Sequence, residues 1–276
     1  MDSVHGLICI DDVNSKMPLV WNPTMGQLLV LPRPKMSSRH MNVFLGCDSV
    51  EGKHKVVCLP HRKTCYVSRV FTLGSGQESW RTVKTNFKHS VEAFASGQCI
   101  KGVIYYLACN RQGYDTVVMS FDVRSEIFHM IEPPSRIRSD MLITYEGRLA
   151  CIDADNDKRL WNLENADKHK WSFQDFLLPL HEWIVSGEDF VFFELQGSTH
   201  AGEFIYIPSF HKSSYIILYD PRSTGQRVTY GTRRLHRSGK KNEITPSCPS
   251  RALTPKIIGG EHTLLYSPDS PEHFLN

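Results

Sequence analysis

Apolar residues in this chain come in short runs, none long enough for a packed helix, and several follow a glycine. Gly6-Leu7-Ile8-Cys9-Ile10, Gly102-Val103-Ile104-Tyr105-Tyr106, Gly147-Arg148-Leu149-Ala150-Cys151 and Gly202-Glu203-Phe204-Ile205-Tyr206 share this form. Runs of this length, rich in β-branched and aromatic residues and bounded by glycine, predict strands. Between 14 and 19 residues after each glycine comes an aromatic followed by Asn or Asp: Trp21-Asn22, Phe121-Asp122, Trp161-Asn162 and Tyr219-Asp220. A weaker copy lies between the first two, with Gly52 ahead of the run 55–59, Phe71 at the matching distance and Ser79-Trp80-Arg81 beyond. The chain is therefore read as five units at intervals of about 45 to 55 residues.

The second half of each unit has the chemistry of a chain reversal. In Asn22-Pro23-Thr24-Met25-Gly26 and Asp220-Pro221-Arg222-Ser223-Thr224-Gly225 the Asn or Asp side chain can accept a nearby backbone N–H, proline presets φ, and glycine takes a positive φ. Apolar runs flank these reversals, 18–21 against 28–31, 117–121 against 127–131 and 215–219 against 227–230, which predicts hairpins. Each unit is expected to supply an inner strand after its glycine and an outer hairpin at its aromatic, with Trp21, Phe121, Trp161 and Tyr219 buried in equivalent positions between adjacent sheets. Small antiparallel sheets repeated at this period cannot bury both faces alone, so the expected fold is all-β, a β-propeller of about five blade-like units. An open sandwich is the alternative.

Helix is scarce: the best candidate, residues 162–176, has uneven apolar spacing and reads as a long turn within a blade. After Tyr230 the character changes to the basic cluster Arg233, Arg234, Arg237, Lys240 and Lys241, followed by Pro246, Pro249 and Pro255. The expected division is a repeat domain over residues 1–230 and a basic, mobile tail over 231–276.

Composition narrows the function classes. Of the 276 residues, 11% are aromatic and only 22% charged, which favours strands over a helical bundle. The formal net charge of +3 gives no global field that would recruit nucleic acid or a membrane. There is no basic leader ahead of residues 7–10, and no apolar run approaches the ~18 residues of a transmembrane helix. The expectation is an intracellular protein of the cytoplasm or nucleus without a membrane partner, whose eight cysteines are reduced. Cys9, Cys58, Cys109 and Cys151, all in apolar strand contexts, are read as small hydrophobes.

Motifs for catalysis or metal binding do not assemble. Cys58, His61 and Cys65 have Cys-x2-His-x3-Cys spacing, but a structural zinc site needs four ligands, and the nearest others, Cys47 and His54, bring no second short-spaced pair. Asp153, Asp155 and Asp157 alternate as in a calcium loop, yet lack its glycine and terminal glutamate, and read as a solvated hairpin tip. Gly74-Ser75-Gly76 falls between strands without the helix a phosphate cradle requires. No catalytic, cofactor or metal residue is expected, and no enzyme activity. The alternatives are a propeller-fold glycosidase or oxidase, which needs clustered inward acids or metal ligands, and a nucleic-acid binder acting through the basic tail, which lacks interleaved aromatics.

The phrases Gly6-Leu7-Ile8-Cys9, Val20-Trp21-Asn22-Pro23, Phe44-Leu45-Gly46-Cys47-Asp48 with Gly52-Lys53-His54-Lys55-Val56, Leu73-Gly74 with Ser79-Trp80-Arg81, Ile100-Lys101-Gly102-Val103-Ile104-Tyr105-Tyr106, Phe121-Asp122-Val123-Arg124-Ser125-Glu126, Tyr145-Glu146-Gly147-Arg148-Leu149-Ala150, and Leu160-Trp161 through Trp171-Ser172 recur in a fixed order. In that order they resemble the F-box-associated interaction domain of plant F-box proteins, the kelch-like type abundant in crucifers, over residues 5–230. The resemblance implies a kelch-like propeller that holds a protein substrate, while a preceding F-box docks on the Skp adaptor of a cullin-RING ubiquitin ligase. It implies no catalytic residue. No F-box precedes Gly6 in this sequence, so Skp binding is not expected. The chain is read as a fragment, a truncated gene product or a protein that binds without delivering. The ring is expected to be incomplete or open at its N-terminal side, between 6–31 and 202–230, with an uncovered edge that favours self-association.

Overall fold

A computed structural model describes residues 3–232, apart from 13–14, 37, 39, 61–64, 77–78, 92–96, 110–115, 157–158, 176–181, 184–190, 200, 209–214 and 223–227. Among the described residues the regular structure is all β and antiparallel. The chain divides into two compact units, Met1–Leu178 and Pro179–Asn276.

In the first unit, β1 (Ser3–Val4), β2 (Leu7–Asp12), β3 (Met17–Asn22) and β4 (Gln27–Val30) form one sheet in sequential order. The strands β5 (Met41–Cys47), β6 (His54–Pro60), β7 (Cys65–Thr72) and β8 (Arg81–Val91) make a second meander. It continues into β9 (Gln98–Ile100), β10 (Val103–Cys109), β11 (Thr116–Asp122) and β12 (Phe128–Ile131). The join is made by β8, whose first residues pair with β7 while Ser90 and Val91 pair with Cys109 and Ala108 of β10. A further sheet follows: β13 (Ile137–Tyr145), β14 (Arg148–Asp153), β15 (Arg159–Asn165) and β16 (Lys170–Asp175). In the second unit, β17 (Glu182–Trp183), β18 (Val191–Ser198), β19 (Phe204–Pro208), β20 (Tyr215–Tyr219) and β21 (Val228–Thr232) pair in order.

Successive sheets of the first unit bury each other's faces, and strand periodicity explains how. Neighbours in β5 go opposite ways: Phe44 packs with Ile104, Tyr106 and Phe121, whereas Leu45 packs with Val4, Val20 and Leu31. Val56 and Val57 of β6 divide in the same way. In β10, Tyr106 faces the second repeat while Leu107 joins Leu142, Leu149 and Cys151 of the fourth. Both faces of such sheets are covered, so consecutive rather than alternate positions are apolar. A polar clamp supplements the packing: Lys55 of β6 donates to the Val123 carbonyl at 2.5 Å and to Glu126 Oε1 at 2.8 Å, and Arg81 also binds Glu126.

The repeat expectation holds in three units and shifts in two. Trp21 lies opposite Ile8, Phe121 opposite Ile104 and Tyr219 opposite Phe204, in each case two residues past the unit's glycine. Phe71 of the weak copy is opposite Val56 and is buried. Like Phe71, whose partner is four past Gly52, Trp161 sits opposite Cys151, four past Gly147. It is half-buried, and Trp21 is 39% exposed, so the expected burial of all four aromatics holds for Phe121 and Tyr219 alone. Asn165, not Asn162, caps the fourth unit's reversal, accepting from the Lys168 N–H at 2.9 Å, and residues 162–175 contribute to the β15–β16 hairpin rather than to a long turn. The strand after each glycine is also not the first of its sheet: β1, β5, β9, β13 and β18 precede the glycines. Of the segment expected to be a tail, Gly231 and Thr232 belong to β21, and the remainder lies outside the described residues.

Candidate interaction surface

In the first, third and fourth repeats one turn is short and locked. Val4 pairs with Leu7, Ile100 with Val103 and Tyr145 with Arg148, leaving two-residue loops. Both loop residues have positive φ, His5 51° and Gly6 79°, Lys101 50° and Gly102 83°, Glu146 50° and Gly147 70°, the type I′ geometry whose twist matches the flanking strands. The neighbouring reversals are capped by carboxylates or amides. Asn22 Oδ1 accepts from Met25 N–H at 3.1 Å, Asp122 Oδ1 from Ser125 N–H at 2.6 Å, and Asp220 Oδ1 from Arg222 N–H at 3.0 Å. At the opposite end, 61–64 join β6 to β7, 110–115 join β10 to β11 and 209–214 join β19 to β20, and all three lie outside the described residues.

Exposed apolar groups collect on two outer hairpins. In the first repeat every residue of β4 is exposed, and Leu28, Leu29 and Val30 accompany Trp21 and Met25. In the fourth, Phe173 of β16 is 54% exposed and meets Trp161 with ring centroids 5.1 Å apart. The Arg159 guanidinium lies 4.4 Å above the Phe173 ring, and its Nε and Nη2 donate to Asp175 at 2.7 and 3.0 Å. Trp161 Nε1 donates to Asp153 Oδ2 at 2.9 Å. Two aromatics and an arginine held in contact, with Phe173 open to solvent, are the residue types that dominate protein interfaces.

The sequence-level metal candidates resolve differently. Cys58 is fully buried on β6, and His61 and the Cys65 side chain lie outside the described residues. The Asp153 loop is not a solvated tip at its first residue. Asp153 is buried, and its carboxylate accepts from Ser135, Trp161 and the backbone N–H groups of Asp155 and Asn156. Burial by itself would raise this carboxyl, but those four donors outweigh it and hold it below the usual carboxylate range. Asp155 is exposed and Asp157 lies outside the described residues. The cysteines read as small hydrophobes behave so: burial pushes the Cys9 thiol up to about 12 and raises those of Cys58 and Cys151 well above their ordinary value. The fold does unite Cys47 and His54 with His5, whose ligand atoms lie within 4.8 Å of one another. No local spacing announces that trio, because His5 belongs to another repeat.

Repeated small antiparallel sheets with locked turns define a propeller-type fold. A family model described as the F-box associated beta propeller domain matches residues 1–244. Two relatives from Arabidopsis thaliana that bear F-box protein names, At1g47790 and At3g10240, are 48% identical over 228 residues and 50% identical over 235. These matches cover 80% and 82% of this chain but 57% and 59% of the relatives. F-box protein At5g18160 of the same plant is 37% identical over 235 residues. The chain belongs to the F-box associated β-propeller domain family, and it spans a little under three-fifths of the length of these relatives.

Proposed function

We propose that this chain is a protein-binding domain that holds a substrate for a Skp-cullin-F-box ubiquitin ligase, and that it performs no catalysis itself. The match of the family model over residues 1–244 carries the reading, together with relatives named as F-box proteins. The architecture supports it physically. Sheets that bury each other's faces make a rigid frame, and the connections at the open ends can vary without disturbing it. On an outer hairpin the exposed Phe173 and the half-buried Arg159 stacked on it supply an aromatic and a guanidinium anchor for a substrate. Binding to the Skp adaptor is assigned to an F-box rather than to the propeller repeats, and the site of action is the cytoplasm or nucleus. Capture of partners from plant extract tests this reading. Recovery of the same proteins by the chain with and without a grafted F-box supports it, and turnover of a small molecule by the chain alone contradicts it.

A further inference from the structure

We propose that His5, Cys47 and His54 form a site for one divalent ion of the zinc class, which staples the first repeat to the second. Cys47 ends β5 and His54 begins β6, and the hairpin register sets them directly opposite each other. Their side chains therefore share one face, the face on which Cys47 packs with Val4 and Val20 of the first repeat. His5 reaches the same place from the first corner of the β1–β2 turn, where its backbone is left-handed at φ 51°. The rings of His5 and His54 meet edge to face with centroids 5.6 Å apart.

Two further observations point to a ligand. The Nε2 atom of His54 is buried with no hydrogen-bond partner, and a buried polar atom left in that condition calls for a specific cause such as an ion. The Cys47 thiol is itself buried and makes a hydrogen bond of 3.5 Å to the Asp48 carbonyl. The three ligand atoms lie within 4.8 Å of one another, whereas bond lengths of ~2.3 Å to sulfur and ~2.0 Å to nitrogen put tetrahedral ligands about 3.3 to 3.6 Å apart. Closing that difference takes a side-chain rotation of His5, which is exposed and free to turn. One thiolate and two imidazoles suit zinc or cobalt, and calcium and magnesium prefer oxygen. Binding replaces the Cys47 proton, which leaves to solvent as the sulfur–metal bond forms. Three protein ligands leave a fourth tetrahedral position for water or for a side chain of a bound partner.

Cobalt titration of the chelator-treated full chain tests the site. The expected result is a thiolate-to-cobalt charge-transfer band that saturates at one ion per chain, displacement of cobalt by zinc, and a higher melting temperature with zinc. His5→Asn keeps a residue tolerant of left-handed φ at the turn corner and should weaken binding about tenfold or more. Cys47→Ser should abolish the charge-transfer band. Absence of the band from the unsubstituted chain, or equal zinc affinity in His5→Asn, overturns the proposal, and the His5→Asn arm stands even if Cys47→Ser does not fold.

Discussion

Lys55 and Glu126, 71 residues apart in sequence, form an ion pair at 2.8 Å that ties the second repeat to the turn of the third. Burial would raise the Glu126 carboxyl, but hydrogen bonds from Arg81 and Lys55 outweigh it and hold it below the usual range. A carboxyl lowered in this way adds stability above the unfolded-state value near ~4.3, and that stability is lost as pH falls through the lower folded value. Glu126→Gln should therefore cost about 1.5 to 3 kcal/mol at pH ~7, the scale of a hydrogen bond to a charged group. Urea unfolding at neutral pH and again below pH ~4 should show the gap shrinking with acid. An equal gap at both pH values would mean that the pair adds nothing.

Equivalent register does not mean equivalent energy. Phe121 is fully buried and packs tilted against Phe128 at 4.7 Å, and Phe121→Ala should cost about 3 to 5 kcal/mol. Trp21 occupies the matching position in the first repeat but remains 39% exposed, and Trp21→Ala should cost about 1 kcal/mol or less. Chemical denaturation of the two variants would show a gap of several-fold, and equal losses would contradict the packing described.

Close approach between repeats fixes Gly46. A Cβ there would lie 2.6 Å from Val123 Cγ2 and 2.7 Å from Ile104 Cδ1, both in the buried interface with the third repeat. Gly46→Ala should destabilise by about 1 to 3 kcal/mol through overpacking, read as a lower denaturation midpoint. An unchanged midpoint would show that the second and third sheets are farther apart.

The Lys101-Gly102 turn allows a gain and a loss at adjacent positions. Lys101 is left-handed at φ 50°, a conformation asparagine accepts more readily, and Lys101→Asn should stabilise by about 0.5 to 1 kcal/mol. Gly102→Ala should destabilise by about 1 to 2 kcal/mol, since φ is +83° and the added Cβ would stand 3.1 Å from Ser49 Oγ. Thermal melts shifting in the same direction for both variants would contradict the type I′ assignment.

What could be read in advance follows from where the physics is local. The reversals after Asn22, Asp122 and Asp220 were legible because each side chain caps its own turn within three residues. The fourth unit misled because Trp161-Asn162 imitates the phrase, while the capping Asn165 follows Glu164 rather than an aromatic. The first strand of each sheet was hidden for another reason. β1 and β9 are two and three residues long and gain their meaning only by pairing across the glycine turn. The sharing of β8 between two meanders is likewise a tertiary event without a sequence signal. Arg159, Phe173 and Asp175 meet across paired strands, and His5, Cys47 and His54 across repeats, so neither cluster has a spacing to find.

The central claim is that the repeats form a binding domain whose role in ubiquitin transfer depends on an F-box. The most direct measurement is affinity capture from plant extract with quantitative mass spectrometry, using the chain alone and the chain with a grafted F-box. The account predicts a shared set of captured proteins in both arms, with Skp and cullin recovered only when the F-box is present. Skp captured equally by the chain alone, or no protein enriched over a scrambled control in either arm, would contradict it.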